Sequence, residues 1–118
     1  MEENFGFMFS HIGVNCEDNA EAQQQAALLT ALFGLPAADG KDSVYSGSSI
    51  ELMKGSGRGK NGHIAIATDD ICKAMKALEE KGFKFVESSA KYDDDGKMKV
   101  IYLEQEMAGF AVHLLQKK

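Results

Sequence analysis

The residues best suited to chemistry in this chain are its three histidines, each in a short segment where apolar and small side chains alternate. After His63, Ile64 and Ile66 occupy one side of an extended segment. Ala65 and Ala67 share the other side with the imidazole. A period of two predicts a β-strand. One face of this strand would favour a core, and the histidine face would be kept open by small residues.

A similar segment occurs earlier in the chain, at His11. Ile12 and Val14 form its apolar side, and Gly13 shares the side of the histidine. The same order of histidine, apolar residue and small residue therefore occurs twice. This repetition favours a common task for His11 and His63.

Glu51 and His113 form a second matching pair. Each interrupts an aliphatic run four residues after a glycine, Gly47 or Gly109. Each also has a small residue two positions earlier on the same side of the strand, Ser49 or Ala111. Four predicted strands therefore carry a ligand-type side chain on an otherwise open face.

Imidazoles and a carboxylate on a rigid sheet are a common set of ligands for a divalent metal. The residues indicated are His11, Glu51, His63 and His113. They do not select among Zn²⁺, Ni²⁺, Fe²⁺, Mn²⁺ and Co²⁺. The alternative is that one or more histidines is a hydrogen-bonded core residue, or that His113 indicates that an ancestral metal site has been lost.

The elements that would position these residues repeat in order. A capped helix is predicted over 19–33, ending at Gly34, and a second opens at Asp69 and ends at Gly82. Strands are predicted at 9–15, in the second half of 39–46, and at 48–54, 63–67, 83–91, 97–104 and 109–115. The glycine-rich segment 55–62 reads as a flexible link between a module at about 9–54 and a module at about 63–116. We expect one domain of α+β class, in which paired βαβββ modules form one cupped mixed sheet with the helices outside.

Composition excludes several classes of function. The chain has 118 residues and a net charge of −5, which disfavours nucleic acid or an anionic membrane as a partner. It contains no apolar run long enough to span a membrane, and its N-terminus is not a signal peptide, so we expect a cytoplasmic protein. Cys16 and Cys72 form no CxxC pair and are interpreted as reduced and structural.

The pattern resembles the vicinal-oxygen-chelate superfamily, which includes glyoxalase I, extradiol dioxygenases, methylmalonyl-CoA epimerase and the bleomycin and fosfomycin resistance proteins. The resemblance covers about 9–116. In that superfamily, paired βαβββ modules hold a metal with a His on the first strand and a Glu on the last strand of each module. The resemblance implies ligand roles for His11, Glu51 and His63, and for His113 at a position that is usually Glu. It also implies a homodimer.

The second half, from GKNGHIAIATDD through SAKYDDDGK to IYLEQEMAGFAVHLLQK, is similar to a more specific group. This group is the glyoxalase-like domain that follows the barrel in some ketodeoxyphosphogluconate aldolases. The barrel is not in this sequence, so we expect a stand-alone version or an excised domain without aldol chemistry. The resemblance implies association with an aldolase barrel and a phosphorylated sugar-acid or 2-oxo substrate.

Other polar residues are candidates for catalysis or substrate binding. Glu51 is the first candidate base and Glu104 the second, although a plain surface carboxylate is the favoured interpretation of Glu104. Arg58, the single arginine, and Lys60 could bind a phosphate or carboxylate, or could be solvated charges of the link. Tyr45 and Tyr102 could line the cavity, but the alternation along their strands does not decide which face of the sheet their side chains occupy.

The sequence therefore favours a metal-dependent lyase or isomerase of the glyoxalase type. It would act on a small oxygenated substrate by proton transfer next to a carbonyl. One alternative is a non-catalytic module that binds a small ligand, for regulation or drug sequestration. Another is a structural partner of an aldolase barrel.

Overall fold

The computed structural model of the chain describes residues 5–118, which form eight strands and two helices. The first half contains one helix, α1 at Asn19–Phe33, and the second half another, α2 at Ile71–Glu80. The strands of the first half are β1 at Met8–Asn15, β2 at Ala37–Asp39, β3 at Ser43–Ser46 and β4 at Ile50–Met53. Those of the second half are β5 at Gly62–Thr68, β6 at Phe85–Tyr92, β7 at Met98–Leu103 and β8 at Phe110–Gln116.

All eight strands belong to one mixed sheet, in the order β2-β3-β4-β1-β5-β8-β7-β6. In each half the first strand pairs with the last in parallel, β1 with β4 and β5 with β8. The two halves meet at the centre through the antiparallel pair of β1 and β5. The predicted α+β fold of two βαβββ modules is confirmed.

The helices begin and end close to the capping residues that the sequence indicated. The Asp18 carboxylate accepts a hydrogen bond from the Glu21 N–H at 2.8 Å and caps α1, which ends at the left-handed Gly34. The Asp70 carboxylate likewise accepts from the Lys73 N–H and caps α2. The helices thus begin directly after the strands β1 and β5.

Each helix covers one half of the same face of the sheet. Ala22 and Ala26 of α1 are buried against Val44 and Leu52, and α2 packs with Ile71 and Ala74 against Ile101 and Leu114. Leu29 of α1 also packs against this core, but Leu28, Leu32 and Phe33 are exposed, so the apolar residues of α1 extend beyond the face that contacts the sheet.

Two expectations about the chain between α1 and β4 need correction. Residues 37–39 form a short edge strand that the sequence analysis missed, because three exposed residues after Pro36 carry no alternation of polarity. The strand predicted at 48–54 is shorter, since only Ile50–Met53 pair with a neighbour. Residues 1–8, for which the sequence predicts only a short lead-in to the first strand, lie partly outside the described residues. Its Phe5 carbonyl accepts hydrogen bonds from the Thr68 hydroxyl and the Asp69 N–H.

Along β5 the histidine face is more buried than the opposite, apolar face. His63, Ala65 and Ala67 are 6%, 0% and 7% exposed, whereas Ile64 and Ile66 are partly exposed. The apolar face does form the core where the helices pack on it, at Leu52 and Leu114, whereas Ile64 and Ile66 belong to neither core cluster. The histidines lie on the face that the helices do not cover.

The glycine-rich link 55–62 is tied to both modules, although a flexible link was predicted. Asn15 donates a side-chain hydrogen bond to the Gly59 carbonyl at 3.0 Å. The Asn61 N–H donates to the Gly109 carbonyl at 2.8 Å, and its side chain donates to the Ala108 carbonyl at 3.1 Å. These bonds fix the link across the ends of β1 and β8.

In the described part of the chain, neither helix has the length and hydrophobicity that a membrane span requires.

Candidate metal centre

The four predicted ligands lie on the four central strands of the sheet. His11, Glu51, His63 and His113 belong to β1, β4, β5 and β8, which are neighbours in the order β4-β1-β5-β8. The strand register places Glu51 opposite Gly13, Gly13 opposite His63, and Ala65 opposite His113. The duplicated fold thus brings the four residues together within a single chain.

The donor atoms of three of these residues converge. The Nε2 atoms of His11 and His63 are 3.4 Å apart. Glu51 Oε1 is 3.3 Å from the first and 3.1 Å from the second. Donor atoms of the three histidines, including His113, all lie within 4.8 Å of one another.

These separations fit a first-row divalent ion. Two nitrogens bound to one ion at about 2.0–2.1 Å in tetrahedral geometry are roughly 3.3–3.4 Å apart. The His11 and His63 nitrogens already have that separation. His113 lies further from these atoms than they lie from one another. Because all three imidazoles are buried and one carboxylate supplies negative charge, the donor set suits a divalent metal.

Hydrogen bonds outside the cluster orient its members. His113 Nδ1 lies 3.1 Å from the Leu114 carbonyl, which can only accept, so Nδ1 carries the proton and Nε2 is the free donor atom. The Ser43 hydroxyl donates to Glu51 Oε2 at 2.7 Å. Ser10 Oγ is 3.0 Å from His11 Nδ1. Such outer contacts are characteristic of ligands held ready for a metal.

Gly13 provides the space that the His63 ring occupies. A Cβ atom added at Gly13 would lie 2.0 Å from His63 Cε1 and 2.3 Å from its Nδ1. Any larger residue at this position would therefore displace the ring. The glycine is required by this contact with the imidazole.

The environment of the cluster favours an ionised carboxylate and a neutral His113. Burial alone would raise the pKa of Glu51, but hydrogen bonds from His11, His63 and Ser43 outweigh it and hold this pKa far below its usual range. Burial lowers the pKa of His113 to about 4, against a smaller opposing effect of its bond to the Leu114 carbonyl. His113 is therefore neutral at pH 7, the form that binds metal.

Both candidate tyrosines lie on the same face of the sheet as the histidines, a point that the sequence left open. The ring of Tyr45 is 5.7 Å from that of His11. The ring of Tyr102 is 4.8 Å from that of His113 and 6.5 Å from that of His63. Burial and the Glu51 carboxylate raise the pKa of Tyr45 to about 12, so its hydroxyl stays protonated at neutral pH. Burial also raises the pKa of Tyr102.

The remaining candidates lie at different distances from the cluster. Arg58 stands at the rim, with its Cζ atom 5.2 Å from the centre of the Tyr102 ring. Lys60 is exposed on the same link. Glu104 is exposed beyond the end of β7, and among residues 5–118 no hydrogen bond or ion pair joins its side chain to the histidines. Catalysis by Glu104 and substrate binding by Lys60 stay predictions.

Two other features of the molecule lie outside this cluster. Cys16 packs in the core under α1, where burial and the nearby Glu21 and Asp18 raise the pKa of its thiol, so it is a poor nucleophile. A half-open groove of about 570 Å³ runs between the start of α2, the β6–β7 turn and the C-terminus. Its lining mixes lysines with three aspartates. Asp70 and Asp93 accept hydrogen bonds from backbone N–H groups, and Asp69 pairs with Lys117.

Sequence reasoning did not identify the supporting residues. Ser10 directly precedes His11 and was available as a hydrogen-bond partner, but a serine beside a histidine is too common to indicate one. Ser43 and Asn15 reach their partners across strands, so only the sheet register reveals them. Gly13 was recognised as a small residue on the histidine face, but not as the contact of His63.

Comparison with known proteins identifies the fold. No family model matches the chain. Among solved structures, a methylmalonyl-CoA epimerase has a TM-score of 0.69 and 17% identity, covering 99% of both chains. A hypothetical protein from Bacillus halodurans has a TM-score of 0.68 and 20% identity over 96% of both chains. A methylmalonyl-CoA epimerase in complex with methylmalonyl-CoA and NH4+ has a TM-score of 0.63 and 16% identity, covering 92% of this chain and 93% of that chain.

At these identities the similarity concerns the fold alone. The chain has the fold of the methylmalonyl-CoA epimerases, which are members of the vicinal-oxygen-chelate superfamily.

Proposed function

We propose that this protein is a metal-dependent isomerase or lyase that moves a proton next to a carbonyl of a small oxygenated substrate. His11, Glu51, His63 and His113 would hold the metal. The observation that carries the proposal is the convergence of two imidazole nitrogens and one carboxylate oxygen within 3.1–3.4 Å on the buried face of the sheet. The epimerase fold supports the same class of reaction.

A divalent metal bound there would act as a Lewis acid and stabilise negative charge that develops on substrate oxygens. The chain itself supplies the orientation. His113 presents Nε2 because its other nitrogen donates to the Leu114 carbonyl. The protonated Tyr45 hydroxyl provides a hydrogen-bond donor on the same face, beside His11. The buried histidine face also limits access of water to the reacting carbon.

The depressed pKa of Glu51 limits its role as a base. A carboxylate that accepts hydrogen bonds from His11, His63 and Ser43 is a weak proton acceptor. Coordination to a divalent ion would lower the basicity of Glu51 further, so Glu51 would act as a base only after Oε1 leaves the ion. Ser43 would still hold Oε2 during such a movement.

The same observation supports a second candidate function. If Glu51 instead stays bound to the metal throughout, the cluster would hold an anion-binding metal without proton transfer, as in a ligand-sequestering or regulatory module. Such a module would serve for drug sequestration, or for regulation of an aldolase. The two candidates make different predictions about exchange of substrate protons.

Solvent deuterium exchange tests the proposal. We expect the metal-loaded protein in D₂O to exchange the proton next to the carbonyl of methylmalonyl-CoA or 2-oxobutanoate, as monitored by NMR. Exchange should stop after treatment with EDTA and return when Zn²⁺, Mn²⁺ or Co²⁺ is added. Exchange that continues unchanged without metal would contradict the proposal. Tight binding without exchange would establish the binding module instead.

Two substrate classes are compatible with this site. Methylmalonyl-CoA is the ligand of one structure with the same fold. A phosphorylated sugar acid follows from the sequence resemblance to the aldolase-appended domain. Both provide adjacent oxygens that could approach one ion.

We propose that the protein forms a homodimer. Large apolar side chains at the start of β1 and along α1 are exposed in the single chain, namely Phe7, Met8, Phe9, Leu28, Leu32 and Phe33. Exposed apolar groups of this number favour an interface. Association with an aldolase barrel and a cytoplasmic location stay predictions from the sequence.

A further inference from the structure

We propose that Arg58 binds a second anionic group of the substrate, a carboxylate or a phosphate, so that the substrate is an acid with charged oxygens at both ends. This inference rests on the proposed metal site, which would bind the other end. It goes further by naming the substrate class and the residue that selects it. The first support is position, because the guanidinium lies over Tyr102, whose ring contacts those of His63 and His113.

The link that carries Arg58 is held in place. Its neighbour Gly59 accepts a hydrogen bond from Asn15 and packs so closely against the Gly62 carbonyl and the Ala111 N–H that a side chain would not fit. Asn61 is bonded to the Gly109 carbonyl on the other side. A side chain on a solvated linker would lack such anchors. Arg58 is therefore presented at the rim of the cup by a fixed backbone.

The charge of Arg58 is available for a ligand. Among residues 5–118, the ion pairs within 4 Å join His11 and His63 to Glu51, Lys54 to Asp39, and Lys117 to Asp69. None of them involves the guanidinium, although the chain carries 18 acidic residues against 13 basic ones. The guanidinium stacks on the face of Tyr102. Its N–H groups, which lie in the guanidinium plane, are therefore free to donate to a carboxylate or phosphate.

The charge of the metal site favours the same kind of ligand. Three neutral imidazoles and one carboxylate leave a divalent ion with excess positive charge, which attracts an anionic oxygen. The second positive charge, on Arg58, is separated from the first by the Tyr102 ring. A short acid with a charged group at each end would place one group at the metal and the other at Arg58.

Isothermal titration calorimetry on the metal-loaded protein tests this inference with a matched pair of probes. 2-Oxoglutarate and 2-oxopentanoate share the same 2-oxo acid end, and only the first has a remote carboxylate. We expect 2-oxoglutarate to bind about 10- to 100-fold more tightly, the effect of one charge-assisted hydrogen-bonded pair. Arg58→Gln should remove this preference and leave binding of 2-oxopentanoate within about twofold. Lys76→Gln, an exposed charge on α2, is the control and should preserve the preference.

The remaining arms separate the possible outcomes. If 3-phosphonopyruvate binds more tightly than 2-oxoglutarate and also depends on Arg58, the remote group is a phosphate rather than a carboxylate. Equal affinity of the two 2-oxo acids in the unaltered protein, or a preference that survives in Arg58→Gln, would overturn the inference while leaving the metal site intact. If EDTA leaves the binding of both acids unchanged, the proposed metal function fails instead. No binding of either acid would overturn both.

Discussion

Replacing Glu51 with glutamine is expected to reduce metal-dependent proton exchange by about 10²- to 10⁴-fold, the usual range for loss of a general base. The substitution removes the negative charge that accepts hydrogen bonds from His11, His63 and Ser43. It also replaces the carboxylate ligand with an amide, which binds divalent ions less well. Exchange rates measured by NMR at saturating metal, together with a metal titration, separate these two effects.

The control for this substitution is Glu80→Gln at the exposed end of α2, which should leave exchange unchanged. Ser43→Ala retains the charge of Glu51 and removes only the bond to Oε2, so we expect a smaller loss, of about 10-fold. Exchange by Glu51→Gln at the rate of the unaltered protein would show that Glu51 is neither base nor ligand. Glu104 would then become the candidate to test.

Gly13→Ala is expected to weaken metal binding by about 100-fold or more, although it adds a single methyl group. The added Cβ would overlap the His63 ring, so the ring must leave its position between His11 and Glu51. Displacement of a ligand by about 1 Å is enough to disable a site of this kind. Titration with Zn²⁺ or Co²⁺, monitored by competition with a chromophoric chelator, measures the change.

Gly55→Ala is the matched control for this change. A Cβ at Gly55 meets no atom within 4 Å, so the variant should bind metal like the unaltered protein. Circular dichroism should show both variants folded, because the strain at Gly13 falls on one ring. If Gly13→Ala binds metal normally, His63 is not a ligand in the arrangement described here.

The amino-acid pattern was sufficient to predict the scaffold of the site. Alternation with a period of two placed the histidines and Glu51 on one face of their strands, and the repeat of this alternation predicted two modules. The structure confirms the two-module fold. A ligand-type residue among small neighbours is informative because few other roles need both an imidazole and open space beside it.

The pattern was insufficient where burial depends on the shape of the whole sheet. Ile64 and Ile66 were expected in the core, but they are partly exposed and belong to neither of the two core clusters under the helices. Phe33 follows Ala22, Ala26 and Leu29 at helical spacing and is nevertheless exposed, at the last position of α1. The glycines of 55–62 indicated flexibility, and only the long-range hydrogen bonds of Asn15 and Asn61 show that the link is held.

Metal content and coordination test the central claim most directly. Protein purified without chelators or a metal affinity step should contain close to one first-row divalent ion per chain. X-ray absorption should show a shell of nitrogen and oxygen with imidazole scattering, and substitution of both His11 and His63 by alanine should abolish the ion. Protein that holds no ion and also fails to bind Zn²⁺, Ni²⁺, Fe²⁺, Mn²⁺ or Co²⁺ on titration would contradict the account.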